Sequence, residues 1–244
     1  MRFGVDFSEH GGPLNLVTVN CWKGQGVTHA VVQYSSRMRQ HLDVLHEAGG
    51  IEVEAYVYLY WGLSPWGQTP QDRVRSALTM SRGKISRLWL DAEDSTHPYQ
   101  EDQLLECVEI CNQANMPCGI YTGRWWWIPN TGNSKTFAHL PLWHAEYFPS
   151  APQDFSGFKT YGGWSRPTIW QWAGTVELCG HSVDFNAIED EVVITPDTPP
   201  IFLPTSKDVA FAGAVAAFQV HNGWKLTDMH PYDQEVLRWI ARQL

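Results

Sequence analysis

Long hydrophobic runs are missing from this sequence. Nowhere in its 244 residues does it approach the ~20 consecutive apolar residues that a membrane-spanning helix needs, so membrane insertion is not expected. The opening Met1-Arg2-Phe3-Gly4-Val5-Asp6 has neither the basic start nor the apolar core of a secretory signal. Basic clusters are missing too. The formal net charge is −9 and no Lys/Arg-rich segment occurs, which argues against a nucleic-acid binder held by phosphate contacts and suits a neutral or locally cationic ligand. Cysteine is sparse: Cys21, Cys107, Cys111, Cys118 and Cys179 make an odd set without C-x-x-C spacing. Free thiols in a reducing compartment are therefore expected, with no structural disulfide framework. The histidines offer no metal-ligand spacing, since His41/His46 and His139/His144 are five apart, not the three or four that share a helix face. No metal and no cofactor is implied.

What the chain does have is aromatic surface. It carries 13 tryptophans and 9 tyrosines, and Tyr58, Trp61, Tyr121, Trp125, Trp126, Trp127, Trp143 and Tyr147 fall where strands should end. Flat amphipathic rings stack on the apolar faces of sugars while their polar edges reach hydroxyls. Core packing is the competing reading for any single ring.

Short apolar strands alternate with helical segments, the pattern of a sheet built from βα units. Strands are expected over 2–7, 28–34, 51–60, 85–90 and 118–122. Met38, Leu42 and Leu45 recur at helical spacing before Gly49-Gly50 ends that helix. Thr69-Pro70-Gln71-Asp72 is a helix start, with a capping hydroxyl, a first-turn proline and an acid near the positive end of the dipole; Val74 and Leu78 are its expected buried face. A third helix after Pro98 carries Leu104, Val108 and Cys111. Beyond Thr122 the helical signal fades, and strands over 140–145, 168–172 and 182–185 are joined by long loops. The fold class is thus α/β over residues 1–194: βα units followed by strands joined by long loops, a departure from a regular eightfold βα repeat. Residues 195–206 hold four prolines and read as an extended linker; 207–244 read as a short helical C-terminal appendage that docks on the barrel or on a partner.

Chemistry concentrates in Leu88-Trp-Leu-Asp-Ala-Glu-Asp94. Asp91 and Glu93, two residues apart on a strand, point to the same side, and the C-terminal end of a barrel strand is where catalytic groups sit. A pair of acids is the minimum equipment for cleaving a glycosidic bond. Two further strand ends carry acids: Asp6 in Gly4-Val-Asp-Phe-Ser8 and Asp184 in Val183-Asp-Phe-Asn186. The first and last strands of a closed barrel are neighbours, so Asp6 and Asp184 can flank one pocket opposite the central pair. Carboxylates crowded into a partly desolvated cleft raise at least one pKa, as a general acid requires. The two-residue spacing is compatible with either the retaining or the inverting carboxyl separation.

With these pieces in order, the sequence resembles the lysozymes of glycoside hydrolase family 25. The matching pieces are Gly4-Val-Asp-Phe-Ser8, Ala55-Tyr56, Trp89-Leu-Asp-Ala-Glu93, Gly119-Ile-Tyr121, Leu140-Pro-Leu-Trp143 with Tyr147, Trp170-Gln-Trp172 and Val183-Asp-Phe-Asn186. The resemblance implies a modified TIM-like barrel of about five βα units followed by plainer strands, and an N-acetylmuramidase that cuts the β-1,4 bond between N-acetylmuramic acid and N-acetylglucosamine. It implies Glu93 as general acid, Asp91 supporting the substrate's acetamido group as the internal nucleophile, and Asp6 and Asp184 binding substrate and adjusting the central pair. Tyr56, Tyr58, Tyr121, Trp143, Tyr147 and Gln171 become the substrate-binding set. Two pieces depart from the family pattern: Gln33-Tyr-Ser-Ser36 stands where K-A-T-E-G is common, and Ala55-Tyr-Val-Tyr58 where A-Y-H-F is common. A family 18 chitinase fits less well, because Ser86 and Trp89 occupy two acidic places of its D-x-x-D-x-D-x-E motif.

The expected partner is a peptidoglycan glycan strand, with no nucleic acid and no membrane, and a monomer is expected. The missing export signal fits an enzyme held in a host cytoplasm until release to the wall, as a phage endolysin, or one associated with a virion. The competing classes are a noncatalytic glycan-binding or virion structural module, a glycosidase of another N-acetylated glycan, and a metal-dependent hydrolase.

Overall fold

The computed structural model describes residues 1–189; the expected linker at 195–206 and appendage at 207–244 lie outside the described residues. Eight strands close into a barrel in chain order. They are β1 (Arg2–Phe7), β2 (Val27–Gln33), β3 (Glu52–Tyr58), β4 (Leu88–Asp91), β5 (Cys118–Thr122), β6 (Leu142–Ala145), β7 (Ile169–Leu178) and β8 (His181–Ile188). The first seven run parallel, and β8 closes the ring antiparallel to both β7 and β1. Helices α1 (Leu16–Gly24), α2 (Met38–Ala48), α3 (Pro70–Ser81), α4 (Glu101–Gln113) and α5 (Arg124–Thr131) follow the first five strands in turn. The expectation of five βα units and then plainer strands therefore holds. No helix among the described residues is long and apolar enough to cross a membrane.

Strand alternation builds two apolar layers. In β4, Leu88 and Leu90 join the large layer between strands and helices, whereas Trp89 points into the barrel beside Val31, Trp143, Ile169 and Ile188. A lumen filled by indoles leaves no room elsewhere. A Cβ on Gly119 would lie 2.3 Å from Trp89, and one on Gly4 would lie 2.5 Å from Ile188, so large and small residues must alternate across the interior. Beneath Trp89 the lumen is polar. Glu54, 1% exposed, accepts from the Trp89 indole, from Arg87 Nη1 at 3.0 Å and faces His29 Nε2 at 3.1 Å. A buried carboxylate is tolerated when it is paired and hydrogen-bonded in this way.

The α3 start has the expected form. Thr69 Oγ1 accepts from the Asp72 amide while the Asp72 carboxylate accepts from the Thr69 amide, a complete capping box with Pro70 in the first turn. Its buried side carries Val74, Ala77 and Ser81, with Leu78 only partly covered.

Three sequence expectations need correction. Helix α5 exists although the pattern after Thr122 looked non-helical: three consecutive tryptophans have no amphipathic period, and Pro129 sits inside the helix. Cys21 and Cys179 form a disulfide with Cα atoms 6.1 Å apart, leaving Cys107, Cys111 and Cys118 as buried free thiols. Barrel closure brings α1 against the β7–β8 turn, and a contact spanning 158 residues leaves no local spacing to read. Trp61, Trp126 and Trp127 are core residues, at most 3% exposed, and stack around Tyr99 instead of offering sugar platforms.

Candidate active site

All four acids found in the sequence converge at one mouth of the barrel. Asp91 ends β4 in register with Tyr58 on β3 and Tyr121 on β5; Glu93 follows two residues later. Asp6 on β1 lies directly opposite Asp184 on β8. Directly opposed residues on antiparallel strands share a face, so these carboxylates sit side by side.

Gln171 on β7 holds this second pair. Its Nε2 donates to Asp6 Oδ2 at 2.9 Å and to Asp184 Oδ2 at 3.1 Å. Its Oε1 accepts from Tyr121 at 2.9 Å and Tyr147 at 3.2 Å. Asn186, which sequence reasoning missed as a site residue, donates to Asp6 Oδ2 at 2.7 Å and is itself oriented by the Trp143 indole at 2.8 Å. It lies two residues after Asp184 on the same strand face, and that spacing was the available signal. Asp184 also takes the Thr175 amide at 2.6 Å, which ties the β7–β8 hairpin to the site.

The central pair is held more loosely. Glu93 Oε1 accepts the Gly123 amide at 2.7 Å, just ahead of α5. Asp91 is buried and its Oδ1 has no hydrogen-bond partner. The next acid along, Asp94, is structural: it accepts from the Trp61 and Thr96 amides at 2.9 and 2.8 Å and faces His97, tying the loop after β3 to the loop after β4.

Burial is the main cause that raises the pKa of each of these acids. It pushes Asp6 up to about 7, with the Asp184 charge adding to the effect and the Asn186 and Gln171 hydrogen bonds opposing it. Burial likewise raises Glu93 to about 7 against the pull of the Gly123 amide. Asp91 is pushed well above the usual carboxylate range by burial and then by the charges of Glu93 and Asp6, and Asp184 is raised by burial. Two titratable carboxyls in one site that resist joint ionisation are the arrangement of an acid/base catalyst.

The aromatic expectations divide by exposure. Tyr147 is 60% exposed and Trp125 65%, and the Trp125 indole leans over Gly123, so both present free ring surface beside Glu93. Tyr56 and Tyr121 pack edge-on against Trp143. Trp143 itself is 1% exposed; it braces Tyr56, Tyr121 and Asn186 from below and has no free face for a sugar. Tyr58 lies further out, against Tyr60. Among the described residues no group of three or more His, Cys, Asp or Glu is arranged to hold a metal ion.

A closed, mixed eight-stranded barrel with four acids at the C-terminal mouth of its parallel strands defines the class: a barrel with glycosidase-type equipment. Comparison with known proteins gives the family. The family described as Lysozyme-like protein 1 matches residues 1–172, and the chain belongs to it. Counting factor 50 of Dictyostelium discoideum is 27% identical over 178 residues, covering 70% of this chain and 56% of that protein. A second Dictyostelium discoideum relative, "Probable GH family 25 lysozyme 3", is 28% identical over 148 residues, covering 57% of this chain and 30% of that protein. The chain thus spans about half the length of the first relative and less of the second. In fold it is similar to the modular Cpl-1 endolysin in complex with a peptidoglycan analogue, at a TM-score of 0.55 and 18% identity over 84% of this chain and 60% of that one. The resemblance to glycoside hydrolase family 25 lysozymes and the TIM-like barrel expected from it both stand.

Proposed function

We propose that the chain is a peptidoglycan lysozyme that hydrolyses the β-1,4 bond from N-acetylmuramic acid to N-acetylglucosamine. The observation that carries this reading is the pairing of Glu93, raised to about 7, with Asp91, whose buried Oδ1 has no partner. Glu93 stays protonated near neutral pH and delivers its proton to the glycosidic oxygen as the bond to the anomeric carbon breaks. The substrate's own acetamido oxygen closes on that carbon, forming a cyclic oxazolinium. The free oxygen of Asp91 accepts the acetamido N–H and orients the acetamido oxygen towards the anomeric carbon. Glu93, now a carboxylate held by the Gly123 amide, takes a proton from the incoming water, whose oxygen opens the ring with net retention.

Asp6 and Asp184, clamped by Gln171 and Asn186, present carboxyl oxygens that bind substrate polar groups. Tyr147 supplies a sugar-stacking face beside Glu93, as does Trp125, while Tyr56, Tyr58 and Tyr121 line the approach to Asp91. The partner is a bacterial peptidoglycan strand. The Cys21–Cys179 bond favours a site of action outside a reducing cytoplasm, in keeping with a wall substrate.

Replacing Glu93 with Gln keeps the shape and removes the proton. Digestion of purified peptidoglycan by E93Q is expected to fall by about 10²–10⁴-fold, with muramic acid at the new reducing ends made by the wild type. Activity within tenfold of wild type would sink the catalytic role, and glucosamine reducing ends would refute the bond assignment.

A further inference from the structure

A cleft of 680 Å³ opens over the ends of β2 and β3, and Gln33, Tyr58, Tyr60, Trp66, Gln68 and Arg73 are among its lining residues. This is the wall on which the sequence departs from the family pattern. Arg73, in the first turn of α3, is 5% exposed. Its guanidinium carbon lies 5.1 Å from the Tyr34 ring centre, 5.3 Å from Tyr60 and 5.4 Å from Trp66. Nε donates to the Tyr58 carbonyl at 2.9 Å. The other partly buried arginines have acids: Arg2 pairs with Glu52 and Arg87 with Glu54. Arg73 has no ion pair among the described residues, and its Nη1 and Nη2 have no protein partner there.

A buried cation without an anion is costly. Three ring faces offset part of that cost through cation–π attraction, yet they leave the donor edge of the guanidinium fork unused. That fork matches a carboxylate in two parallel hydrogen bonds. Glu9, on the opposite wall of the cleft, takes the Ser36 hydroxyl at 3.2 Å and does not reach Arg73. Tyr58, which lines the cleft, pairs in register with Asp91 across β3 and β4, so the cleft adjoins the reacting centre.

We propose that this cleft is a carboxylate subsite, in which Arg73 receives an acidic group borne by the muramic acid of the substrate. Resting on the lysozyme reading, this narrows the substrate to strands with a free acid. The acids nearest the sugar ring are two, the lactyl group of a muramic acid without a stem peptide and the glutamate α-carboxyl within a stem. A polymer of N-acetylglucosamine has neither. Trp66, 66% exposed, closes over the guanidinium and shields the ion pair from water, where it gains strength.

Two pairs of soluble muramic-acid oligosaccharides test this, one with the lactyl carboxylate free or amidated, the other with the stem glutamate α-carboxyl free or amidated. Wild type is expected to show about tenfold higher kcat/KM for the acid in one pair, which identifies the source. R73M should collapse that ratio towards unity, and R73K, which keeps the charge without the fork, should retain part of it. Equal rates within both pairs for wild type overturn the subsite while leaving the lysozyme reading intact, as does an unchanged ratio in R73M or R73K with a wild-type circular dichroism spectrum. Failure of wild type to cleave all four substrates overturns the lysozyme reading and the subsite with it.

Discussion

Breaking the Cys21–Cys179 disulfide by a C21S/C179S double substitution opens a covalent ring that encloses most of the barrel. The bonded residues are 158 apart in sequence. Chain-entropy reasoning gives about 5 kcal/mol for a closed loop of that length. The hairpin does not lose its docking with the bond. Trp22 Nε1 still donates to the Leu178 carbonyl at 3.2 Å, and His181 still packs edge-on against Phe7 and Trp22. The loss is therefore assigned to the unfolded chain's gain in freedom, and about 3–5 kcal/mol should disappear. Urea unfolding of the double variant beside oxidised wild type measures it, and the thermal midpoint should fall by roughly 6–20 °C for a domain of this size. Thiol titration in denaturant should count three thiols in oxidised wild type and five after reduction, matching the three free cysteines among five. A stability difference under about 1 kcal/mol, or five reactive thiols without reductant, would refute the covalent ring.

Other outcomes follow from the acids and from the lumen. Asp6 is raised from 3.8 to about 7, so the folded protein keeps a proton that the unfolded chain has already released. The stability this confers is full below about pH 4 and is lost as pH rises through about 7, at up to about 1.4 kcal/mol per pH unit. D6N should remove that slope, and urea midpoints of wild type and D6N that run parallel from pH 4 to 8 would show it absent. The same sign applies to Glu93: kcat/KM should fall as pH rises past about 7, and a flat alkaline limb to pH 9 counts against its role. G119A would drive a methyl group into Trp89, whose ring lies 2.3 Å from the Cβ position, with the Pro141 carbonyl at 2.9 Å. It should cost about 1–3 kcal/mol or more, and a neutral result in thermal unfolding would mean the lumen is looser than described.

Much of the barrel was legible because its signals are local. The α2 stop at Gly49-Gly50 and the Thr69–Asp72 capping box each depend on residues within one turn of each other. The two-residue spacing of Asp91 and Glu93 fixed their common side before any tertiary contact was known. Helix α1 was not visible: Leu16-Val-Thr-Val carries β-branched residues without a clear helical period, and its N-cap, Asn15 accepting from Thr18, is one weak signal. The β7–β8 hairpin runs longer than expected because Ala173 to Leu178 pair beyond the buried part of the strand, where alternation of apolar and polar residues is lost. The disulfide, the Glu54 cluster and the fate of Trp61, Trp126 and Trp127 all depend on partners dozens of residues away. Convergence of the acids was inferable from barrel closure alone, whereas the bracing of Asp6 by Asn186 and Gln171 required the register.

The polar floor under Trp89 has a consequence for how this scaffold can diversify. Glu54 is bound by three groups from its two neighbouring strands, His29 on β2, Arg87 just ahead of β4 and Trp89 within it. A one-residue slip of β3 would turn that carboxylate outward and strand three donors. The register of β3 between β2 and β4 is thus specified at the end remote from the four acids, by contacts that no loop at the mouth takes part in. Changes of length and chemistry in the loops at the mouth leave those three contacts untouched. Substrate preference and foldability are separable traits in such a barrel, and engineering of the wall from Gln33 to Ser36 can proceed without re-solving the fold.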